Sequence, residues 1–154
     1  MKYKSTKLFN GYSTAFRQWR AASHCQFVHG YALEFKVTFE GDLDHCNWVL
    51  DFGCFKTNGV KGMLSEQFDH TFIVSKDDPH LFSFRELNDI GVIQLRVVEN
   101  VGCEAFAKWV YDEISRKLSS DKRQKQQRVR VAKVECFEGG TKNSAIYEGS
   151  ICER

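Results

Sequence analysis

Residues 31–40 read YALEFKVTFE, an alternation that places Tyr31, Leu33, Phe35, Val37 and Phe39 on one face and Glu34, Lys36 and Thr38 on the other. Side chains on an extended strand point to opposite sides in turn, so this period of two predicts a half-buried antiparallel strand. A shorter candidate strand, Lys7 to Ala15, precedes it, and a basic loop between them carries Arg17, Arg20, His24 and Cys25. The two strands are expected to pair as a hairpin with a long tip. Beyond the Gly41-Asp42 turn, residues 44–47 read as loop, and Trp48 to Phe52 lead into a helix expected over roughly residues 53–66, weakened by Gly59 and Gly62.

Residues 80–90 (HLFSFRELNDI) suggest a short amphipathic helix, and 92–98 (VIQLRVV) a short strand. A clearer helix runs from Cys103 through Leu118, where Phe106, Trp109, Val110, Ile114 and Leu118 recur at helical spacing with Asp112, Glu113, Arg116 and Lys117 outward. The charged run 121–128 (DKRQKQQR) reads as a solvated connector. Val129, Val131, Lys133 and Glu135 then alternate with Arg130, Ala132 and Val134 as a third major strand, and a fourth lies at Ala145 to Tyr147 after Gly139-Gly140. The principal order is strand, strand, helix, helix, strand, strand. It predicts an α+β fold, with a four-stranded antiparallel sheet carrying two helices on one face. Such a sheet has two open edges, and pairing with further copies of the chain is one way to satisfy them, so a homo-oligomer is expected.

The 154 residues, 42% of them hydrophobic, suit one domain spanning 1–154. Lysine plus arginine number 22 against 20 acidic residues, and a net charge of +2 with interspersed signs argues against a nucleic-acid or membrane-surface binder. The six cysteines are scattered without a C-x-x-C pair, as expected of reduced thiols. MKYKSTKLFN has no apolar leader segment, and no stretch approaches the roughly 18 apolar residues of a spanning helix. A cytoplasmic protein is expected.

Several residues carry the chemistry. Cys25 stands four positions before His29, with Gly30 following, a pattern that fits a reactive thiol near a ligand and equally a buried thiol beside a hydrogen-bonded imidazole. Asp69-His70 sets a carboxylate beside an imidazole, the pairing that supports general acid or base work. Glu135, followed by Cys136, is either a solvent-facing strand residue or a carboxylate that accepts two N–H bonds from an amidine-like edge such as that of a pterin or guanine. Cys103 lies at a helix start, where it is a buried thiol or one exposed to the positive end of the helix dipole.

Taken in order, SHCQFVHGYALEFKVTFEG, WVLDFGCFK, FDHTFIV, CEAFAKWVYDEI and VRVAKVECFEGGTKNSAIYEG resemble the successive blocks of the 6-pyruvoyl-tetrahydropterin synthase and 6-carboxytetrahydropterin synthase family, across roughly residues 7–149. The resemblance implies the T-fold, in which subunits pool their sheets into a barrel as a trimer or hexamer, with active sites between subunits. It also implies a lyase acting on 7,8-dihydroneopterin triphosphate and feeding deazapurine or tetrahydropterin synthesis. By position it assigns catalysis to Cys25, Asp69 and His70, and anchoring of the pterin ring to Glu135 beside Cys136. Arg17 and Arg20, from charge and loop position, are candidate contacts for the triphosphate.

The family binds zinc through one histidine near the end of the first strand and the two of a His-Gly-His in the second. Here the second motif is His29-Gly30-Tyr31, and Phe16 stands at the first position. Phenylalanine offers no donor and neutral tyrosine a poor one, so the usual zinc site is expected to be absent or very weak, with His29 as its remaining ligand and His24 or Cys25 as candidates to rebuild it. Tyr31 is a candidate to hydrogen-bond a substrate hydroxyl in place of the metal. The helix start reads Glu99-Asn100-Val101-Gly102-Cys103-Glu104 where the family has a Pro-Thr, and Glu138 adds a negative charge near the ring pocket. The competing reading is a zinc-free T-fold protein that binds a pterin or purine without turning it over; a third is a different reaction on the same scaffold.

Overall fold

The computed structural model describes residues 2–120, 128–140 and 142–149. Most of the expected connector, residues 121–127, and Cys152 lie outside the described residues. Strands β1 (Tyr3–Phe16) and β2 (His29–Gly41) form the long-tipped hairpin, and the tip holds a 3-10 turn at His24–Gln26. Leu33, Phe35, Val37 and Phe39 of β2 have no exposed surface, as the alternation requires. Each such side chain contributes about 1.5–3 kcal/mol through burial.

The expected helix over 53–66 is two helices, α1 (Cys54–Thr57) and α2 (Val60–Phe68), separated where Gly59 takes φ +77°. After them comes β3 (Thr71–Ser75), five buried residues in a row, then α3 (Leu81–Asp89) and β4 (Leu95–Val98). The long helix α4 (Cys103–Ser120) buries Phe106, Ala107, Val110, Ile114 and Leu118, and β5 (Val129–Glu138) and β6 (Asn143–Glu148) close the chain.

The sheet corrects the four-stranded antiparallel expectation. It has six strands in the order β4-β3-β1-β2-β5-β6. The pairs β1/β2, β2/β5 and β5/β6 are antiparallel, while β3 runs parallel to β1 and β4 parallel to β3, with α3 as the crossover. The β1/β3 seam is closed by Thr14, whose Oγ1 donates to the Thr71 carbonyl at 2.9 Å. Helices α2 and α4 cover one face, α2 against β1 and β3 and α4 against β5 and β6. This is a T-fold-like α+β arrangement on a mixed sheet. No helix among the described residues is long and apolar enough to cross a membrane.

Two irregularities decide which side chains face inward. In β1 the register against β2 slips by one residue between Phe9 and Tyr12, where Gly11 has φ +88°. Seven positions separate Phe9 from Phe16, which on a regular strand would put them on opposite faces, yet both are buried, at 3% and 2% exposure. The extra residue at the bulge restores the phase. In β5, Thr38 pairs with Lys133 but Phe39 pairs with Val131, leaving Ala132 as the extra residue. From there the inward residues are Val134 and Cys136, so the expected alternation through Val131, Lys133 and Glu135 breaks at Ala132.

Candidate active site

The end of β1 and the start of β2 place three aromatic rings together. Phe16 pairs with His29 and Thr14 with Tyr31 across the hairpin. The Phe16 and Tyr31 rings stack with centroids 3.8 Å apart and planes within 10°, and Phe16 also meets Phe106 of α4 edge-on. His29 lies 4.5 Å from Tyr31 between centroids. Its Nδ1 is 2.9 Å from the Phe27 carbonyl, which can only accept, so this nitrogen carries a proton.

Phe16 and Tyr31 border a cleft of about 190 Å³. Cys25 and Gln18 from the hairpin tip, Gly102, Cys103 and Glu104 from the start of α4, and Glu138 with Asn143 and Ser144 from the β5–β6 hairpin complete it. Gly102 has φ +113°, and a Cβ there would stand 2.5 Å from Gln18 Nε2, the group that donates to the Val101 carbonyl at 3.0 Å. Only glycine lets these two walls meet. Within the cleft the Cys103 thiol donates to Glu138 Oε2 at 3.8 Å. Burial, together with the nearby Glu138, Cys25 and Cys103, pushes the Tyr31 phenol up to about 12. Behind this wall, a hydrogen bond with Cys103 and burial raise the pKa of the Cys136 thiol, so it stays protonated.

Glu138, rather than Glu135, is therefore the β5 carboxylate in the cleft, which it shares with Glu104 of α4. Glu135 falls on the other side of β5 and accepts a hydrogen bond from Ser144 Oγ at 3.0 Å, while Cys136 is fully buried behind Cys103. The β5 bulge causes this exchange, and no residue pattern announces it. Glu138 shares the parity of the buried Val134 and Cys136, a signal available once the bulge is located.

Asp69 and His70 do not line this cleft. They sit at the turn from α2 into β3, where Asp69 Oδ1 is 3.0 Å from His70 Nδ1 and accepts from the Ser13 amide at 3.3 Å. The His70 amide in turn donates to the Ser13 carbonyl at 2.6 Å, holding that residue at φ +55° with its side chain 78% exposed. Asp69 borders a second hollow of about 280 Å³, beside Lys7, Gly11, Tyr12 and Lys61. There burial and then Asp69 lift the Tyr12 phenol to about 12. Ser13 and Phe16 are three residues apart on β1, about 10 Å at the rise of a strand. The acid–imidazole pair and the thiol are thus flanking features of one strand, not one cluster within a single chain.

The two arginines are already engaged. Arg17 grips Asp78 with Nε at 2.8 Å and Nη2 at 2.7 Å, and Arg20 pairs with Asp77, which also accepts from Trp19 Nε1 at 3.2 Å. Burial works to raise the Asp78 pKa, but the bonds from Arg17 hold it below the usual carboxylate range. Bonds from Ser75, Trp19 and Arg20 hold Asp77 down at about 2. Neither guanidinium lines the cleft. Together they tie the loop carrying Cys25 to the segment between β3 and α3.

The residues in the cleft do not fit the zinc site that the sequence resemblance implies. Its three positions do come together, but as Phe16, His29 and Tyr31, and the buried Phe16 ring has no donor to offer. The His24 ring lies 6.5 Å from that of His29, and among the described residues the two belong to no group of three metal-type donors. Among the described residues the only three metal-type donors within 4.8 Å of one another are those of Asp44, His45 and Cys46, in the loop after the far end of β2. Asp44 Oδ1 there already accepts from the Cys46 and Trp48 amides at 2.8 and 2.9 Å, and Arg128 stands 3.7 Å from Oδ2. It forms at most a partial site, remote from Cys25.

Comparison with known proteins gives a consistent picture. The family described as 6-pyruvoyl tetrahydropterin synthase matches residues 6–150. A 6-carboxy-5,6,7,8-tetrahydropterin synthase of Rickettsia felis is 37% identical over 59 residues, and that of Rickettsia bellii 33% over 58. In both cases the matched segment is 37% of this chain and 41% of the relative's length. Among solved structures, a protein of Wolinella succinogenes described as uncharacterized superposes with a TM-score of 0.79 at 19% identity, covering 97% of this chain and 99% of that one. The Caenorhabditis elegans 6-pyruvoyl tetrahydropterin synthase gives 0.64 at 17% identity, covering 97% of each chain. At these identities the structural matches show a shared fold.

Proposed function

The chain belongs to the 6-pyruvoyl tetrahydropterin synthase family, and from that premise we propose that it is a lyase of the tetrahydropterin synthase type acting on 7,8-dihydroneopterin triphosphate. The observation that carries this reading is the cleft that Cys25 and Glu138 line together. A pterin presents two N–H donors on one edge, its ring N–H and its amino group, and a carboxylate accepts both. With the ring so held at Glu138, the side chain of the pterin extends toward Cys25.

In this reading Cys25 takes a proton from the side-chain carbon next to the ring, and the electron pair passes into the ring C=N. The ring nitrogen takes up a proton, and His70, oriented by Asp69, returns one to the ring carbon as the hydroxyl on the first side-chain carbon loses its proton and becomes a carbonyl. The proton on the next carbon, acidified by that carbonyl, is then removed, and its electron pair forms a C=C bond as the C–O bond to the triphosphate breaks and the triphosphate leaves as an anion. Because Asp69 and His70 flank β1 away from the cleft, the complete site draws its acid–imidazole pair from a second copy of the chain. That makes a closed homo-oligomer, a trimer or hexamer, part of the same proposal. No step passes through a metal.

The test is turnover of 7,8-dihydroneopterin triphosphate by the purified chain, following triphosphate release and product identity together. Native protein is expected to convert it, to the carboxy- or pyruvoyl-type product, and Cys25→Ala to lose at least about 10²-fold in rate. Retained pterin binding without conversion would replace this reading with that of a binding protein, which the loss of metal donors at Phe16 and Tyr31 favours.

A further inference from the structure

We propose that the cleft binds its ligand without a metal ion, the Tyr31 hydroxyl donating a hydrogen bond to an oxygen on the side chain of the bound pterin. This rests on the pterin reading above and goes beyond it, by naming what this chain has put where its relatives are expected to coordinate zinc.

Two observations carry it. First, the position is filled: Phe16 is in van der Waals stacking contact with Tyr31, at 3.8 Å between centroids, and is 2% exposed. An ion could enter only by displacing a core ring. Second, Tyr31 is fixed from both sides, by Phe16 and by His29 at 4.5 Å, so its hydroxyl is preorganised at the cleft wall. Among the described residues that hydroxyl has no hydrogen-bond partner, and it is not among the side-chain polar atoms sealed from solvent. It is a donor awaiting an acceptor.

A neutral phenol and a divalent cation make different demands on a ligand. The cation gathers several oxygens and stabilises full negative charge, whereas one O–H recognises a single oxygen at about 2.7 Å and is worth about tenfold in affinity. The inference therefore assigns Tyr31 to recognition of the side chain, and leaves recognition of the ring to Glu138.

Two probes that differ only in the side chain test it. Neopterin carries hydroxyls on a three-carbon substituent, and 6-methylpterin carries none; both fluoresce. Binding of each is measured to native protein and to Tyr31→Phe, which keeps the stacked ring. The expected result is a loss of about five- to tenfold for neopterin, with 6-methylpterin within twofold. Equal losses for both, or no loss for either, would overturn the role of Tyr31. Failure of the native chain to bind either pterin would overturn the reading beneath it instead. Zinc is titrated separately into native protein and Cys46→Ala. No binding, or binding that Cys46→Ala abolishes, fits a metal-free cleft; zinc retained in Cys46→Ala and lost in His29→Ala overturns it.

Discussion

The two hollows that flank β1 are built from similar parts and finished differently. On one side, the cleft gathers Cys25, Tyr31, Cys103 and Glu138 from the hairpin tip, the start of α4 and the β5–β6 turn. On the other, Asp69 and His70 stand at a turn with the imidazole 78% exposed. Each hollow has a tyrosine lifted to about 12 by burial and then by a nearby carboxylate, Glu138 for Tyr31 and Asp69 for Tyr12. The cleft is a concave site short of an acid–imidazole pair, and the second hollow, bordered by Asp69 with His70 exposed beside it, has no thiol. On the proposed function the two are complementary halves, the cleft of one copy set against the Asp69–His70 turn of another.

Mixing variants tests that lesson with the largest effect. Cys25→Ala and His70→Ala chains should each be inactive alone, and refolding them together should restore about a quarter of native turnover, since that fraction of interfaces pairs two intact halves. No recovery, with both variants assembling normally, would place both halves of each site in one chain.

A smaller effect should follow at the loop that supports Cys25. Asp78, whose side chain is 1% exposed, neutralises Arg17, which is itself 17% exposed. Asp78→Ala strands that guanidinium and should cost about 3 kcal/mol in denaturant unfolding. Asp77→Ala, which breaks a more exposed pair with Arg20, should cost clearly less. Similar losses from both would mean that burial does not distinguish them.

The smallest effect separates the two tyrosines. Their folded pKa of about 12 exceeds the unfolded value near 10, so above pH 10 the unfolded chain releases phenolic protons that the folded chain retains. Stability contributed by these groups is present below pH 10 and declines as pH rises toward 12. Absorbance of the phenolate should show a late step near pH 12 in native protein, diminished in Tyr31→Phe and again in Tyr12→Phe. A Tyr31 that ionises with the exposed tyrosines would contradict the shielding that its packing against Phe16 implies.

Much of this was legible from the residues. The alternation of Leu33, Phe35, Val37 and Phe39 and the helical stripe from Phe106 to Leu118 each specify their own burial, and the ordered sequence blocks point to the family that the comparison then identifies. What escaped was local phase. The segment Thr71 to Ser75 is buried on both faces, so it has no alternation to reveal it, and β3 with its parallel partner β4 enlarges the sheet from four strands to six. The bulge at Ala132 shifts β5 by one residue and moves Glu135 out of the cleft that Glu138 enters. The pairing of Arg17 and Arg20 with Asp78 and Asp77 is long-range, and a basic loop read alone looks like a free anion site. Loss of the zinc ligands, by contrast, was visible in Phe16 and Tyr31 themselves, and the structure adds that the two rings stack.

The central claim is that the β5 bulge gives the cleft its ring-binding carboxylate. Affinity for 6-methylpterin, which has a ring edge and almost no side chain, measures it directly in Glu138→Gln and Glu135→Gln. The account predicts a loss of at least about tenfold in Glu138→Gln, because a charge-assisted pair of hydrogen bonds is broken, and affinity within twofold of native in Glu135→Gln. A loss confined to Glu135→Gln would contradict it.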